Sequence, residues 1–200
     1  MARKERQPSR QPTRKPGIER YNRIIDAAEA LILEKGSLDD LTLDAVAHRA
    51  GVPRVSLYYF FDSIGVLLDT LCQRAVQKMV AELPPPPDTQ DWRELLGLYA
   101  DSVRAFYLEN RVEMILGLMP VSHESYNEAV QVFGEALYGL LTERGAVPKS
   151  QKVARACAIV AELPDLVWRK SLIEKGGLTP AYHREAKRVA IAYLGSVLES

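Results

Sequence analysis

Leu41 to Leu68 reads LTLDAVAHRAGVPRVSLYYFFDSIGVLL, and this stretch decides the fold. Two short helical patterns meet at Ala50-Gly51-Val52. Thr42 has the hydroxyl to cap the first, which runs through Ala45, Val46 and Ala47 to Gly51. Ala47 is small where a crossing helix must come close. Gly51 supplies a left-handed turn that other residues disfavour. Val46, Val52 and Leu57 are spaced to share one small core. A tight turn that sets a second helix, about 53–59, across the first is helix-turn-helix logic, and such a helix projects into a DNA major groove. Arg54, Val55, Ser56, Tyr58 and Tyr59 then face outward. Arg pairs with guanine edges or phosphate, and Val meets a thymine methyl. Ser and Tyr hydroxyls donate to phosphate, which fixes register. Thr42 at a helix start offers another phosphate its hydroxyl and free amides. An ordinary helical hairpin with a Tyr-rich core end, Tyr58 included, fits the same spacing.

Outward from this stretch the pattern stays helical. Ile18, Tyr21, Ile25, Ala28 and Ile32 step by three and four over 18–32, and Gly36 follows as a C-cap. A fourth helix is predicted over 63–82, ended by Pro84-Pro85-Pro86-Pro87. Further helices are predicted over 91–109, 111–118 (stopped by Pro120) and 125–144, the last opening on a Ser125-x-x-Glu128 capping box. Residues 150–174 are apolar, interrupted by Pro164 and closed at Gly176-Gly177. The last helix opens at Thr179-Pro180 and runs to about 198. No alternating strand pattern and no repeat is present, so the class is all-α.

The 200 residues carry 26 Lys and Arg against 26 Asp and Glu. The zero sum is a cancellation. Residues 1–16 hold Arg3, Lys4, Arg6, Arg10, Arg14 and Lys15 against Glu5 alone, a net +5, and the remaining 184 residues carry −5. A basic tail is either a solubilising extension or an arm that tracks phosphates. Two cysteines, Cys72 and Cys157, make no disulfide framework, and a reducing cytoplasm is the simpler home. No apolar run approaches the roughly 20 residues of a membrane span, and no secretory signal follows the basic start, so no membrane partner is expected. No Gly-x-Ser-x-Gly elbow, Gly-rich phosphate loop or His-Glu-x-x-His occurs, so neither enzyme chemistry, a cofactor nor a metal is expected. His48, His123 and His183 are scattered, and His183 beside Glu185 reads as part of a solvated helix face.

The sequence resembles the TetR family of transcriptional regulators. The resemblance rests on Ile24-Ile25-x-Ala27-Ala28 with Gly36, Leu41-Thr42, Ala47-x-x-Ala50-Gly51-Val52, Ser56-Leu57-Tyr58-Tyr59-x-Phe61 and Leu67-Leu68, in that order. It implies about nine helices, with a three-helix DNA-binding domain over 17–67 behind a basic flexible arm over 1–16. A ligand-binding and dimerisation domain over 68–200 would follow. It implies a homodimer, in most members a repressor, that binds a palindromic double-stranded DNA operator and is released by a small apolar or aromatic effector of unknown identity. Thr42, Arg54, Val55, Ser56, Tyr58 and Tyr59 fall at the family's DNA-contact positions, and Leu57 and Phe61 at core positions. Four residues depart from the pattern. Pro53 replaces a hydroxyl cap, Phe60 a His, and Ile64 a phosphate-gripping Lys. Asp44 brings a charge that would repel phosphate. These losses assign a DNA-gripping part to the arm, above all to Arg14 and Lys15.

Effector candidates are Tyr99, Phe106, Met114, Met119, His123, Tyr126 and Trp168. Aromatic and Met side chains suit an adaptable pocket between helices, though the same spacing also builds ordinary core. Residues 153–173 (Val153, Ala156, Cys157, Ile159, Val160, Leu163, Leu166, Val167) and the last helix (Val189, Ala190, Tyr193, Leu194, Val197) read as a two-fold dimer face or as one subunit's core. The rival reading of the whole chain is a helical interaction protein with a degenerate helix-turn-helix that no longer binds a specific operator.

Overall fold

The computed structural model describes residues 9–85, 87–119 and 123–199, the side chains of 123–127 aside. Among the described residues there are nine α-helices and no strand: α1 (Lys15–Lys35), α2 (Leu43–Ala50), α3 (Arg54–Phe60), α4 (Ile64–Glu82), α5 (Trp92–Glu109), α6 (Arg111–Leu118), α7 (His123–Glu143), α8 (Gln151–Lys175) and α9 (Pro180–Leu198). No single described helix is long and apolar enough to cross a membrane.

The chain divides into two compact units. The first joins α1, α2, α3, α4 up to Ala75, and α6. Its core takes Tyr21, Ile24, Ile25, Ala28 and Ile32 from α1, the stripe read from the sequence. Val46, Ala47, Val52 and Leu57 join it, together with Phe60 and Phe61. The tyrosine ring of Tyr21 stacks on Phe61 at 5.3 Å and meets Phe60 edge-on at 5.6 Å. Phe60, where the family pattern has a His, is thus a core residue. Gly36 and Gly51 both sit in the left-handed region, at φ 68° and 61°, and end α1 and α2.

The domain boundary differs from the expected one at residue 67. Leu68 and Leu71 on α4 are buried in the first core, and so are Ile115 and Leu116 on α6. Apolar burial, which is blind to sequence order, draws α6 into this unit.

The second unit holds the rest of α4, α5, α7, α8 and α9. Its core combines Leu95 and Leu96 with Leu137, Leu141, Val153, Ala156, Cys157, Val160, Ala190 and Leu194. Six residues of the expected dimer face are therefore core of their own chain: Val153, Ala156, Cys157, Val160, Ala190 and Leu194. Gly134 on α7 lies so close to α8 that a β-carbon there would stand 2.8 Å from the Ala158 Cα. Two details correct the sequence reading. α7 begins at His123, so Ser125 lies inside the helix and cannot open it. α8 runs unbroken through the buried Pro164. Proline removes one amide donor there, leaving the Val160 carbonyl without its partner one turn on.

Candidate functional site

Helix α3 is short, and its two faces differ sharply. Leu57 and Phe60 are buried and anchor it. Arg54, Val55, Tyr58 and Tyr59 face solvent, Val55 at 82% exposure and Tyr58 at 48%. Ser56 is half-buried. Tyr58 is therefore an outward residue, not a core one. The Thr42 hydroxyl oxygen accepts from the Ala45 amide at 3.2 Å and caps α2. Capping uses an oxygen lone pair, so the hydroxyl proton remains available to an outside acceptor.

Asp44 and Arg54 form an ion pair across the turn. The Arg54 guanidinium meets the carboxylate side-on, through Nε to Oδ1 and Nη2 to Oδ2. Both side chains stay exposed, at 65% and 51%. This corrects the expectation that Asp44 acts on phosphate as a bare repelling charge: the carboxylate is spent on a neighbour. The opposite edge of the guanidinium, carrying Nη1, faces away from Asp44. That planar two-donor edge is the group that pairs with guanine O6 and N7.

The described part of the basic arm also departs from expectation. Arg14 is the N-cap residue of α1 and Lys15 its first residue, both exposed. Residues 9–14 are not a free tail: the Arg10 amide donates to the Phe60 carbonyl at 3.1 Å, and its guanidinium lies 5.4 Å from the centre of the Tyr59 ring. Gly17 lets the chain return this closely, since a β-carbon there would stand 3.0 Å from Pro12 Cβ. Arg10, unremarked among six similar cations, is thus the arm residue seated on α3.

In the second unit, α5, α7 and α8 line a small cleft of about 40 Å³, partly open to solvent. Tyr99 and Trp168 line it, joined by Tyr107, Phe133, Pro164 and Asp165. A second cleft beside the proline run also reaches Tyr99. The other effector candidates lie elsewhere. Phe106 is core beside Tyr107. Met114 and Met119 are on or next to α6 in the first unit, because that helix packs on α1. His123 and Tyr126 lie outside the described side chains. His183, expected on a solvated face, is nearly buried, with Nε2 2.6 Å from Asp101 Oδ1 and its ring stacked on Trp168 at 5.8 Å. Lys187 donates to the other Asp101 oxygen at 2.8 Å.

Asp165 is the cleft residue that sequence reasoning missed. Burial pushes its carboxyl up to about 7; Arg169 on the same helix pulls it back and Glu162 adds to the rise. Tyr99 is raised by burial first and by the Asp165 charge second. A carboxyl whose folded pKa lies above its unfolded value, about 4, favours the fold when protonated. Its contribution is fully present below pH ~4 and lost as the pH climbs to about 7. Asp165→Asn, which never ionises, should therefore gain thermal stability over the wild type progressively between those limits, and hold a constant gain above. Calorimetric melting at pH 4.5, 6 and 8 measures this, and a gain that does not change with pH would contradict it.

Among the described residues no group of His, Cys, Asp or Glu is arranged to hold a metal ion. Comparison with known proteins bears on the first unit first. Residues 24–71 match the model of bacterial regulatory proteins of the tetR family. A transcriptional repressor of the HTH type from Mycobacterium tuberculosis is 28% identical over 137 residues, 68% of this chain. The chain spans about half the length of that relative, 52%. A TetR-family transcriptional regulator from Streptomyces coelicolor superposes with a TM-score of 0.67 at 25% identity, over 90% of this chain and 99% of its own. A fatty acid degradation regulator from Bacillus halodurans shares the fold, with a TM-score of 0.63 at 21% identity over 92% and 97%. The capped α2, the Gly51 turn and the exposed α3 face all lie inside the matched stretch, so residues 24–71 are similar to the helix-turn-helix region of the tetR family of bacterial regulatory proteins.

Proposed function

We propose that the protein is a ligand-responsive transcriptional repressor that binds a two-fold operator as a homodimer. The observation that carries this reading is the α3 face, where Arg54, Val55, Tyr58 and Tyr59 are exposed on a helix held by buried Leu57 and Phe60. Thr42 and the start of α2 supply a phosphate contact beside it, and Arg10, Arg14 and Lys15 extend the positive surface. The relatives named as repressors favour repression over activation. Ile159, Leu166 and Ile173 on α8 support the dimer: they are exposed at 38%, 51% and 67% and recur every seven residues. The cleft at Tyr99 and Trp168 is the effector site. An effector that prefers a spacing of the two recognition helices unfit for the operator weakens DNA binding by its differential affinity for that state. α4 carries residues of both units and is the mechanical link.

Selection of bound sequences from random DNA by the full chain tests the reading. A palindrome with half-sites one helical turn apart, or a multiple of it, is expected. Enrichment of no sequence would leave the interaction-protein reading in its place.

The arm has its own test. Truncation after residue 16 would cut into α1, so substitution is cleaner. Replacing Arg10, Arg14 and Lys15 together by Ala should weaken operator binding and flatten the salt dependence, by about 0.9 in log–log slope for each phosphate that is no longer neutralised. An unchanged slope would remove the arm from the interface.

A further inference from the structure

The cleft at Tyr99 and Trp168 has a chemical polarity that says what it binds. Its described walls hold aliphatic and aromatic side chains and no Lys, Arg or His. Asp165 brings a carboxyl to this wall, and Tyr99 a phenol close enough to feel its charge. Pro164 is beside Asp165, and Val160, whose carbonyl lost its helical donor to that proline, lines the same wall. One end of the cleft is therefore rich in acceptors and poor in donors. The remainder offers the rings of Tyr99, Tyr107, Phe133 and Trp168.

Three classes of apolar ligand can be compared. A carboxylic acid meets a like charge with no cation in the wall. A neutral alcohol leaves the ionised Asp165 in apolar surroundings with only the partial offset from Arg169, which is costly. A primary amine brings a cation with three donors, enough for the Asp165 carboxylate and the Val160 carbonyl, and the aromatic faces attract the same charge.

We infer that the effector is an arylalkyl or alkyl amine, its ammonium held at Asp165 and Val160 and its apolar body against Tyr99, Tyr107, Phe133 and Trp168. This rests on the reading of the cleft as the effector site.

The test uses the full chain and three ligands of one shape: 4-phenylbutylamine, 4-phenylbutanol and 4-phenylbutyrate. Affinity is read by calorimetry at pH 8 and effect by release of selected operator DNA. The amine should bind at least tenfold more tightly than the alcohol or the acid, and should release DNA at lower concentration. Asp165→Asn should erase that preference by lowering amine affinity to that of the alcohol, and an unchanged circular dichroism spectrum reports an intact fold. Ala161→Phe, which fills the cleft, should block amine and alcohol alike. Equal binding of amine and alcohol, or an amine preference that survives Asp165→Asn, overturns the amine assignment while the effector cleft stands. Amine binding that survives Ala161→Phe places the amine elsewhere and overturns it too. Binding of none of the three overturns the assignment and, with it, the effector reading of the cleft.

Discussion

Arg54→Ala should remove the distinction between operator and random DNA while leaving the fold intact. The side chain is 65% exposed and contributes nothing to the core that Leu57 and Phe60 anchor. Its value lies in geometry. Asp44 holds the guanidinium by its Nε edge, so the Nη1 edge is presented rather than searching through rotamers, and less entropy is lost when it pairs with a base. A bidentate Arg–guanine pair discriminates by about 1–3 kcal/mol, and a two-fold complex contains two, so roughly 30-fold to 10⁴-fold in specificity is at stake. Fluorescence anisotropy on operator and scrambled DNA at matched salt measures it, since a salt difference alone shifts affinity by as much. Asp44→Asn provides the contrast. It removes a negative charge next to the phosphates, so binding to random DNA should strengthen, while the loosened guanidinium narrows the gap between operator and random sequence. An Arg54→Ala protein that still separates the two DNAs as the wild type does would show that α3 does not read the bases through this residue.

Asp44 also shows where the sequence stops being legible. As a lone charge in a DNA-facing motif it reads as repulsion. Only the turn at Gly51, which folds α3 back over α2, brings it against Arg54. The motif itself was legible because its signals are local: a hydroxyl cap at Thr42, a small residue at Ala47, a left-handed glycine and a regular hydrophobic spacing. The same holds for most helix limits, which are set by Gly36, the proline run and Thr179-Pro180. What escaped is long-range. α6 reads as an ordinary link in the chain, yet Ile115 and Leu116 complete the α1 core. His183 and Asp101 lie far apart in sequence and meet at 2.6 Å. Arg10 is one of six cations in a basic stretch, and only its bond to Phe60 separates it from the rest. Asp165 carries no signal of its own in the sequence, and its place in the cleft depends on the α5 and α7 side chains that line it. Gly134 carries no turn signal, and its meaning is the closeness of Ala158.

The proposed dimer face is the clearest case of one pattern split by the fold, and it sets the other large expected effect. Of the apolar residues on α8, Ala156, Cys157 and Val160 are spent inside the chain, and Ile159, Leu166 and Ile173 are left outside in a single row. These side chains are exposed by 38%, 51% and 67%, and pairing would bury that remaining apolar surface on each protomer. Leu166 sits in the middle of the row. In a two-fold interface residue i meets residue j and j meets i, so Leu166→Glu introduces a carboxylate twice into apolar surroundings with no counter-charge. The variant should be a monomer at concentrations where the wild type is a dimer, with helix content unchanged because Leu166 is 51% exposed in the single chain. Operator affinity should fall steeply, since each recognition helix then binds a half-site without its tethered partner and the gain from effective concentration disappears. Cys157→Glu controls for the alternative that any acid on α8 is harmful: Cys157 is fully buried in its own chain, so that variant should lose helix content, which Leu166→Glu should not. Analytical ultracentrifugation with circular dichroism separates the two outcomes. A Leu166→Glu protein that remains dimeric and keeps its operator affinity would mean the row on α8 faces solvent in the working assembly, and that the two recognition helices are coupled through another surface.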